Sequence, residues 1–339
     1  MTTRVYRIDN REQYAKAGPD DLIRMVPALG ANGHSLYLPK HKIEVAGYAI
    51  IHGEALHISG PTGTAKTSLM QALQMPENFH PIADALDAPA KPVRMYPIEM
   101  ATFDAPGELY QRRALRNGTT YDEPSLLVAA LKDAEKANGS CYPVIWLREI
   151  GRVHSAAIQG GLLDLMPQKG DVTLPDGSRV GGNVCFVADS NYQAESDSTH
   201  TLVTFDDALR RRFNINLTLD YLPPEQEVAV LSQLFEEQRL ERVADGVLER
   251  VVKLGQHIRL QRQDGNLLSL PAPTIAGYVG FLQMVERIPH LSLQQVAMST
   301  LLGNASPDDR KVALAVFNEV FGLRQEASDE DSITERELF

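Results

Sequence analysis

Residues 55–73, ALHISGPTGTAKTSLMQAL, join an apolar run, a loop with two glycines and a helical run without a break. This stretch constrains the fold more than any other, because a strand must deliver the loop and a helix must begin where the loop ends. The loop comprises Gly60, Pro61, Thr62, Gly63, Thr64, Ala65, Lys66 and Thr67. It matches G-x-x-x-x-G-K-[ST] except that Ala65 stands at the last glycine. Glycines let backbone N–H groups curl around phosphate oxygens, and the helix that follows offers its first amides and the positive end of its dipole. Lys66 is spaced to reach β- and γ-phosphates, and the Thr67 hydroxyl to bind magnesium. An alanine at 65 asks only for ordinary helical dihedrals, so the departure is a mild one. The competing reading, a plain glycine turn, does not account for the strand before the loop and the amphipathic helix after it.

Apolar strands alternate with helical stretches from residue 43 to about 219, the pattern of a parallel sheet covered by helices. Strand candidates are 55–59, 93–98, 144–147, 183–188 and 215–219. The interval between 98 and 144 is longer than a βαβ crossover needs, so it holds an insertion. At Tyr221 the chain turns through LPPEQE, two prolines followed by acids, a hinge and a helix start. Stretches 225–240, 243–260, 274–288, 293–302 and 308–321 then carry helical periodicity. The expected fold class is α/β, a P-loop parallel-sheet core with a C-terminal α-helical lid. The divisions are an N-terminal extension at 1–40, the nucleotide-binding core at 41–222, the lid at 223–323 and an acidic tail at 324–339.

Composition narrows the classes of partner. The chain of 339 residues is 43% hydrophobic and 23% charged, ordinary for a soluble protein, and no run reaches bilayer-spanning length. Its N-terminus has no secretory apolar core, and Cys141 and Cys185 lack metal-ligand spacing, which points to a reduced, cytoplasmic setting. With 44 acids against 33 bases the formal charge is −11, which disfavours a broad grip on nucleic acid. A local basic patch is still compatible with that balance. The tail EASDEDSITERELF reads as solvated chain.

PVIWLREIG, residues 143–151, is a buried strand ending in Arg148-Glu149. In nucleotide-hydrolysing enzymes the strand beside the phosphate loop ends in an Asp that serves the metal, followed by a Glu that polarises water. Here Glu149 fills the second place and Arg148 the first. Three readings stay open. Arg148 turns aside and Glu149 suffices; or Arg148 lies by the phosphates and partly replaces the metal's charge, favouring binding without turnover; or Arg148 pairs with a carboxylate elsewhere. A guanidinium near Mg2+ repels it, so slow hydrolysis is compatible with the motif.

With these motifs placed, the chain resembles the MoxR branch of AAA+ ATPases, in the clade with a helix-2 insert and a pre-sensor-1 hairpin. The likeness covers about 40–290. It rests on GPTGTAKT; on LREIGR, where that branch has L-D-E-I-N-R; on FVADSN (186–191); and on DDALRRRF (206–213). TFDAPGELY with EPSLLVAALKDAEKANG corresponds to the insert and the helix before the second motif. DVTLPDGSRVGG has strand–turn–strand character around Asp176-Gly177 and corresponds to the hairpin.

The resemblance implies ATP or ADP with Mg2+, and a homo-oligomeric ring, a hexamer in the family. It gives Lys66 and Glu149 catalytic roles and makes Asn191 the γ-phosphate sensor. It makes Arg212, with Arg211 next, the finger that reaches a neighbour's nucleotide. The family's lid arginine is absent: SLPAPTIAGY (269–278) puts Thr274 about where it belongs, leaving Arg259 or Arg262 as substitutes. The implied activity is ATP hydrolysis coupled to remodelling of a protein client, such as a von Willebrand A-type domain protein. Two alternatives stand beside it: a nucleotide-holding scaffold impaired by Arg148, and a nucleic-acid motor with Lys169 and Arg179 flanking the hairpin.

Overall fold

Strand β1 (Val5–Arg7), helix α1 (Arg11–Lys16), β2 (Leu22–Met25) and β3 (Leu36–Pro39) open the chain as a small three-stranded sheet in the order β1-β2-β3. The computed structural model describes residues 3–27, 34–137, 139–153, 155–166, 172–174, 177–180, 184–191, 206–238 and 246–323. Side chains alternate across a strand, and β2 uses both faces. Ile23 and Met25 enter the core of the α/β unit, whereas Leu22 joins the core of the C-terminal helices. Arg24, on the Leu22 face, pairs with Glu237 at 2.6 Å. The N-terminal sheet is therefore wedged between the two units.

Helix α2 (Lys40–His52) stops at Gly53, whose left-handed backbone caps it, and β4 (Leu56–Gly60) follows. Next come α3 (Lys66–Leu73), α4 (Pro76–Ala85), β5 (Val93–Glu99), the paired β6 (Gln111–Arg116) and β7 (Thr119–Pro124), α5 (Leu126–Lys136) and β8 (Tyr142–Arg148). Helix α6 (Ala156–Leu165), the short pair β9 (Val172–Thr173) and β10 (Arg179–Val180), β11 (Cys185–Asn191), α7 (Asp207–Arg210) and β12 (Ile215–Thr218) complete the α/β unit.

The five main strands are all parallel and run in the order β12-β4-β11-β8-β5. This corrects one expectation. The strand of the second motif, β8, is not beside the loop strand β4, because β11 lies between them. At its centre the sheet is buried on both faces, and so β8 is apolar from Pro143 to Leu147, up to the terminal Arg148. Val144 and Trp146 pack with Leu69 and Met70 of α3, while Ile145 and Leu147 pack with Leu127, Ile158 and Leu162 on the other face. Each such fully buried side chain contributes about 1.5–3 kcal/mol.

The insertion expected between β5 and β8 is the β6–β7 hairpin with α5. Asn117 and Gly118 both take positive φ, at 51° and 76°, the primed turn that matches strand twist. The second expected hairpin is present as β9–β10, with Leu174 N–H bonded to Ser178 O at 2.8 Å; Asp176 and Lys169 lie outside the described residues.

Helices α8 (Pro224–Gln238), α9 (Val247–Gln263), α10 (Ile275–Arg287), α11 (Leu293–Ser299) and α12 (Pro307–Phe321) form the C-terminal unit. Their core includes Leu231, Leu254, Tyr278, Phe281 and Phe317, with the Phe317 and Phe321 rings stacked at 4.5 Å. Among the described residues no helix is long and apolar enough to cross a membrane, and Cys141 and Cys185 are free and buried. The expected acidic tail, 324–339, is outside the described residues.

Candidate nucleotide site

The loop after β4 is shaped by close approach. A Cβ at Gly60 would lie 2.0 Å from the Leu219 carbonyl oxygen, and one at Gly63 would lie 2.2 Å from Thr274 Cγ2. Larger residues at either place would displace the loop or the C-terminal unit. Thr64 Oγ1 donates to Pro61 O at 2.9 Å and ties the turn internally. Ala65 corrects the expectation of helical dihedrals: it has φ 68° and ψ 19°, in the left-handed region. The chain must reverse here to start α3, and a glycine would do so without the clash that a Cβ brings.

Lys66 opens α3 and is buried, its ammonium donating to Gly60 O at 2.8 Å and Pro61 O at 2.7 Å. Burial lowers its pKa from the ordinary lysine value, and the charges of Asp189 and Glu149 act the other way. The strand ends collect the remaining groups. Asn191 closes β11 in register with Gly60, and Arg148 closes β8 in register with Glu99 of β5. A cleft of about 440 Å³ is lined by Thr62, Gly63, Ala65, Lys66 and Thr67 of the loop and by Arg148, Glu149, Asp189 and Asn191 of the strand ends. Thr274 and Ile275 of α10 line it from the opposite side. Lys66, Thr67, Glu149 and Asn191, read from sequence as one site, are thus brought together.

Arg148 donates to Glu99 and holds its guanidinium 5.0 Å from the centre of the Trp146 ring. Of the three readings of this residue, the contacts match pairing with a carboxylate elsewhere. That partner sits on β5, on the side of β8 away from the loop. Glu149 takes a left-handed backbone, φ 51° and ψ 49°, and its carboxylate pairs with Arg152 at 3.0 Å.

Asp189 was not singled out from sequence, where it sits inconspicuously within FVADSN. Its side chain is 5% exposed, accepting from Trp146 Nε1 at 2.6 Å and from the Glu149 backbone N–H at 2.9 Å. It faces the same cleft. The only sequence signal was an acid two residues from the end of an otherwise apolar strand.

Arg259 and Arg262, the candidate substitutes for the lid arginine, are engaged elsewhere. Arg259 forms a two-pronged pair with buried Glu227 at 2.7 and 3.0 Å and donates to Pro273 O. Its guanidinium lies 3.8 Å from the centre of the Tyr221 ring. Arg262 donates to the carbonyls of Leu267, Leu268 and Leu270. Neither lines the cleft, whereas Thr274 does, its Oγ1 also capping α10 through Gly277 N–H at 3.3 Å. Arg211 and Arg212 follow α7; Arg211 is exposed, Arg212 is half-buried, and neither lines the cleft of its own chain.

The residues present fit a magnesium nucleotide. The loop offers a cradle only glycine can form at 60 and 63, the buried ammonium is aimed into it, and the α3 N-terminus presents first-turn amides. A hydroxyl and two carboxylates stand beside it, at Thr67, Glu149 and Asp189. Among the described residues no three His, Cys, Asp or Glu are grouped to hold a metal ion.

No family model matches the chain, and no curated protein matches it by sequence. Solved structures with a similar arrangement include the Holliday junction branch migration motor RuvB of Thermotoga maritima, at 14% identity and TM-score 0.42, covering 82% of this chain and 68% of that one. A candidate ATPase from Cytophaga hutchinsonii has 14% identity and TM-score 0.38, with 84% and 89% covered. At these values the likeness assigns no activity.

Proposed function

We propose that this chain is an AAA+ ATPase, binding ATP or ADP between its α/β core and its helical lid and hydrolysing ATP. The observation that carries the reading is the convergence, on one cleft, of the glycine cradle, the buried Lys66, Thr67, Glu149 and Asn191. In this scheme Lys66 leaves its loop carbonyls for the phosphates, and Asn191 bonds the γ-phosphate or the attacking water. Glu149, freed from Arg152, orients that water for in-line attack and takes its proton; as the water oxygen bonds to the γ-phosphorus, the bond from the γ-phosphorus to the β-phosphate oxygen breaks, giving ADP and phosphate. Magnesium, when bound beside Thr67, neutralises phosphate charge. Arg212, with Arg211 beside it, reaches across to a neighbour's nucleotide in a homo-oligomeric ring, a hexamer on the MoxR resemblance.

On the same resemblance the work is remodelling of a protein client in the cytoplasm, with a von Willebrand A-type partner as the first to test. Phosphate release by wild type, Lys66→Ala and Glu149→Gln tests the core of the reading. Activity should fall at least about a hundredfold in both variants, while Glu149→Gln keeps its nucleotide. Turnover unaffected by either substitution would overturn it. The contacts of Glu149 with Arg152 and of Arg148 with Glu99 favour a second reading, a ring that mainly holds nucleotide; retention of ATP by wild type with no release of phosphate is its signature.

A further inference from the structure

We infer that the metal-side carboxylate missing from the end of β8 has moved one strand over, to Asp189 of β11. The inference rests on the cleft being a magnesium-nucleotide site. Four observations support it.

First, β11 lies between β8 and the loop strand β4, so Asp189 is one strand nearer the phosphate loop than the Arg148 position. Second, the face is right. Ala188 is in register with Leu147, so the next residues, Asp189 and Arg148, share the opposite face with Trp146 and Val187. That is the face on which α3, the helix of the phosphate loop, packs. Third, the neighbouring charges are already balanced around it. Arg148 is turned to Glu99 and Glu149 to Arg152. Asp189, by contrast, accepts from two neutral N–H donors, one per oxygen, keeps spare lone pairs in the cleft, and acts there on the Lys66 ammonium rather than on an arginine. Fourth, those donors hold it in place: the indole fixes one oxygen, and the Glu149 backbone fixes the other while setting the left-handed turn that aims the Glu149 side chain. One buried carboxylate thereby organises both acids of the site.

The test reads binding. Affinity for a fluorescent N-methylanthraniloyl ATP is measured in Mg2+ and in EDTA for wild type, Asp189→Asn and the Arg148→Asp/Asp189→Asn double variant. Wild type should bind about tenfold tighter in Mg2+, the scale one charge commands at a partly desolvated distance. Asp189→Asn should bring the two affinities within about twofold, chiefly by weakening the Mg2+ value, and the double variant should restore the difference.

An Asp189→Asn protein that keeps the wild-type ratio overturns the inference, even if both affinities shift together, as a merely structural role would make them. Failure of wild type to bind nucleotide at all overturns the nucleotide site itself.

A second measurement needs no variant. Trp146 is the chain's one tryptophan and donates to Asp189. With nucleotide bound, replacing Mg2+ by paramagnetic Mn2+ should quench its emission. Unchanged emission with Mn2+-nucleotide bound also overturns the inference.

Discussion

Ala65→Gly is expected to stabilise the α/β unit, and the sign of the effect is the test. Ala65 holds φ 68° and ψ 19° at the start of α3, where a Cβ meets the following carbonyl and costs about 1–2 kcal/mol. Removing the methyl group recovers that energy. Glycine also has more freedom in the unfolded chain, a penalty of about 0.4–1 kcal/mol. The balance is a gain of about 0.5–1 kcal/mol. Ala65 is only half-buried, so little packing is lost. Ala65→Val should move the other way by more than about 1 kcal/mol, because a β-branched residue fits this region worst.

Urea unfolding followed by Trp146 emission is the assay, since this buried indole reports on the core that α3 packs against. With a slope of about 2–3 kcal/mol/M, the glycine variant's midpoint should rise by about 0.3 M. If Ala65 were helical, glycine would instead destabilise by about 1 kcal/mol. A lowered midpoint for Ala65→Gly at unchanged slope would refute the reasoning.

Further outcomes follow from the same contacts. Burial lowers the pKa of Lys66 from 10.5, so its ammonium loses its proton as pH rises through that lowered value; affinity for ATP should fall there, and Lys66→Arg, always protonated, should abolish that limb of the pH profile. Arg259→Ala leaves Glu227, 1% exposed, as an unpaired buried charge and should cost about 3–5 kcal/mol, read as early melting of the helical unit by calorimetry. Arg148→Gln breaks only a half-exposed pair and should change stability by less than about 1 kcal/mol in the same urea assay. Leu147→Ala, in the sheet core, should cost about 2–5 kcal/mol, read as a lowered midpoint.

Much of this architecture was legible in the chain itself. Strands β8 and β11, buried on both faces, carry the uninterrupted apolar runs 144–147 and 185–188, whereas β4, β5 and β12 are only partly buried and show mixed runs set between turn residues. The helix start at Pro224 announces itself by residue type, two prolines followed by acids. Lateral order in the sheet leaves no local trace, and the interposition of β11 could not be read from VCFVADSN. Asp189 is inconspicuous for the same reason: its meaning depends on Trp146 of β8 and on Glu149 just after that strand. The left-handed backbone of Ala65 is not legible in sequence, because a side chain's identity does not state its dihedral. The β6–β7 hairpin, in contrast, is signalled within the insertion by Asn117-Gly118. Arg259 looked available in sequence because Glu227 and Pro273 give no hint of converging on it.

The N-terminal sheet bears on how the cleft can open. The helical unit follows the core through Tyr221, whose hydroxyl donates to Thr62 O at 3.1 Å. It is fastened a second time, far along α8, where Tyr37 donates to Glu237 at 2.6 Å and His34 meets Gln238 at 2.8 Å. A rigid body held at two separated points keeps a single rotational freedom, about the line that joins them. The helical unit is then a door on two hinges rather than a flap on one strap. A swing about that line would carry Thr274, which packs against Gly63, toward or away from the loop along one fixed arc.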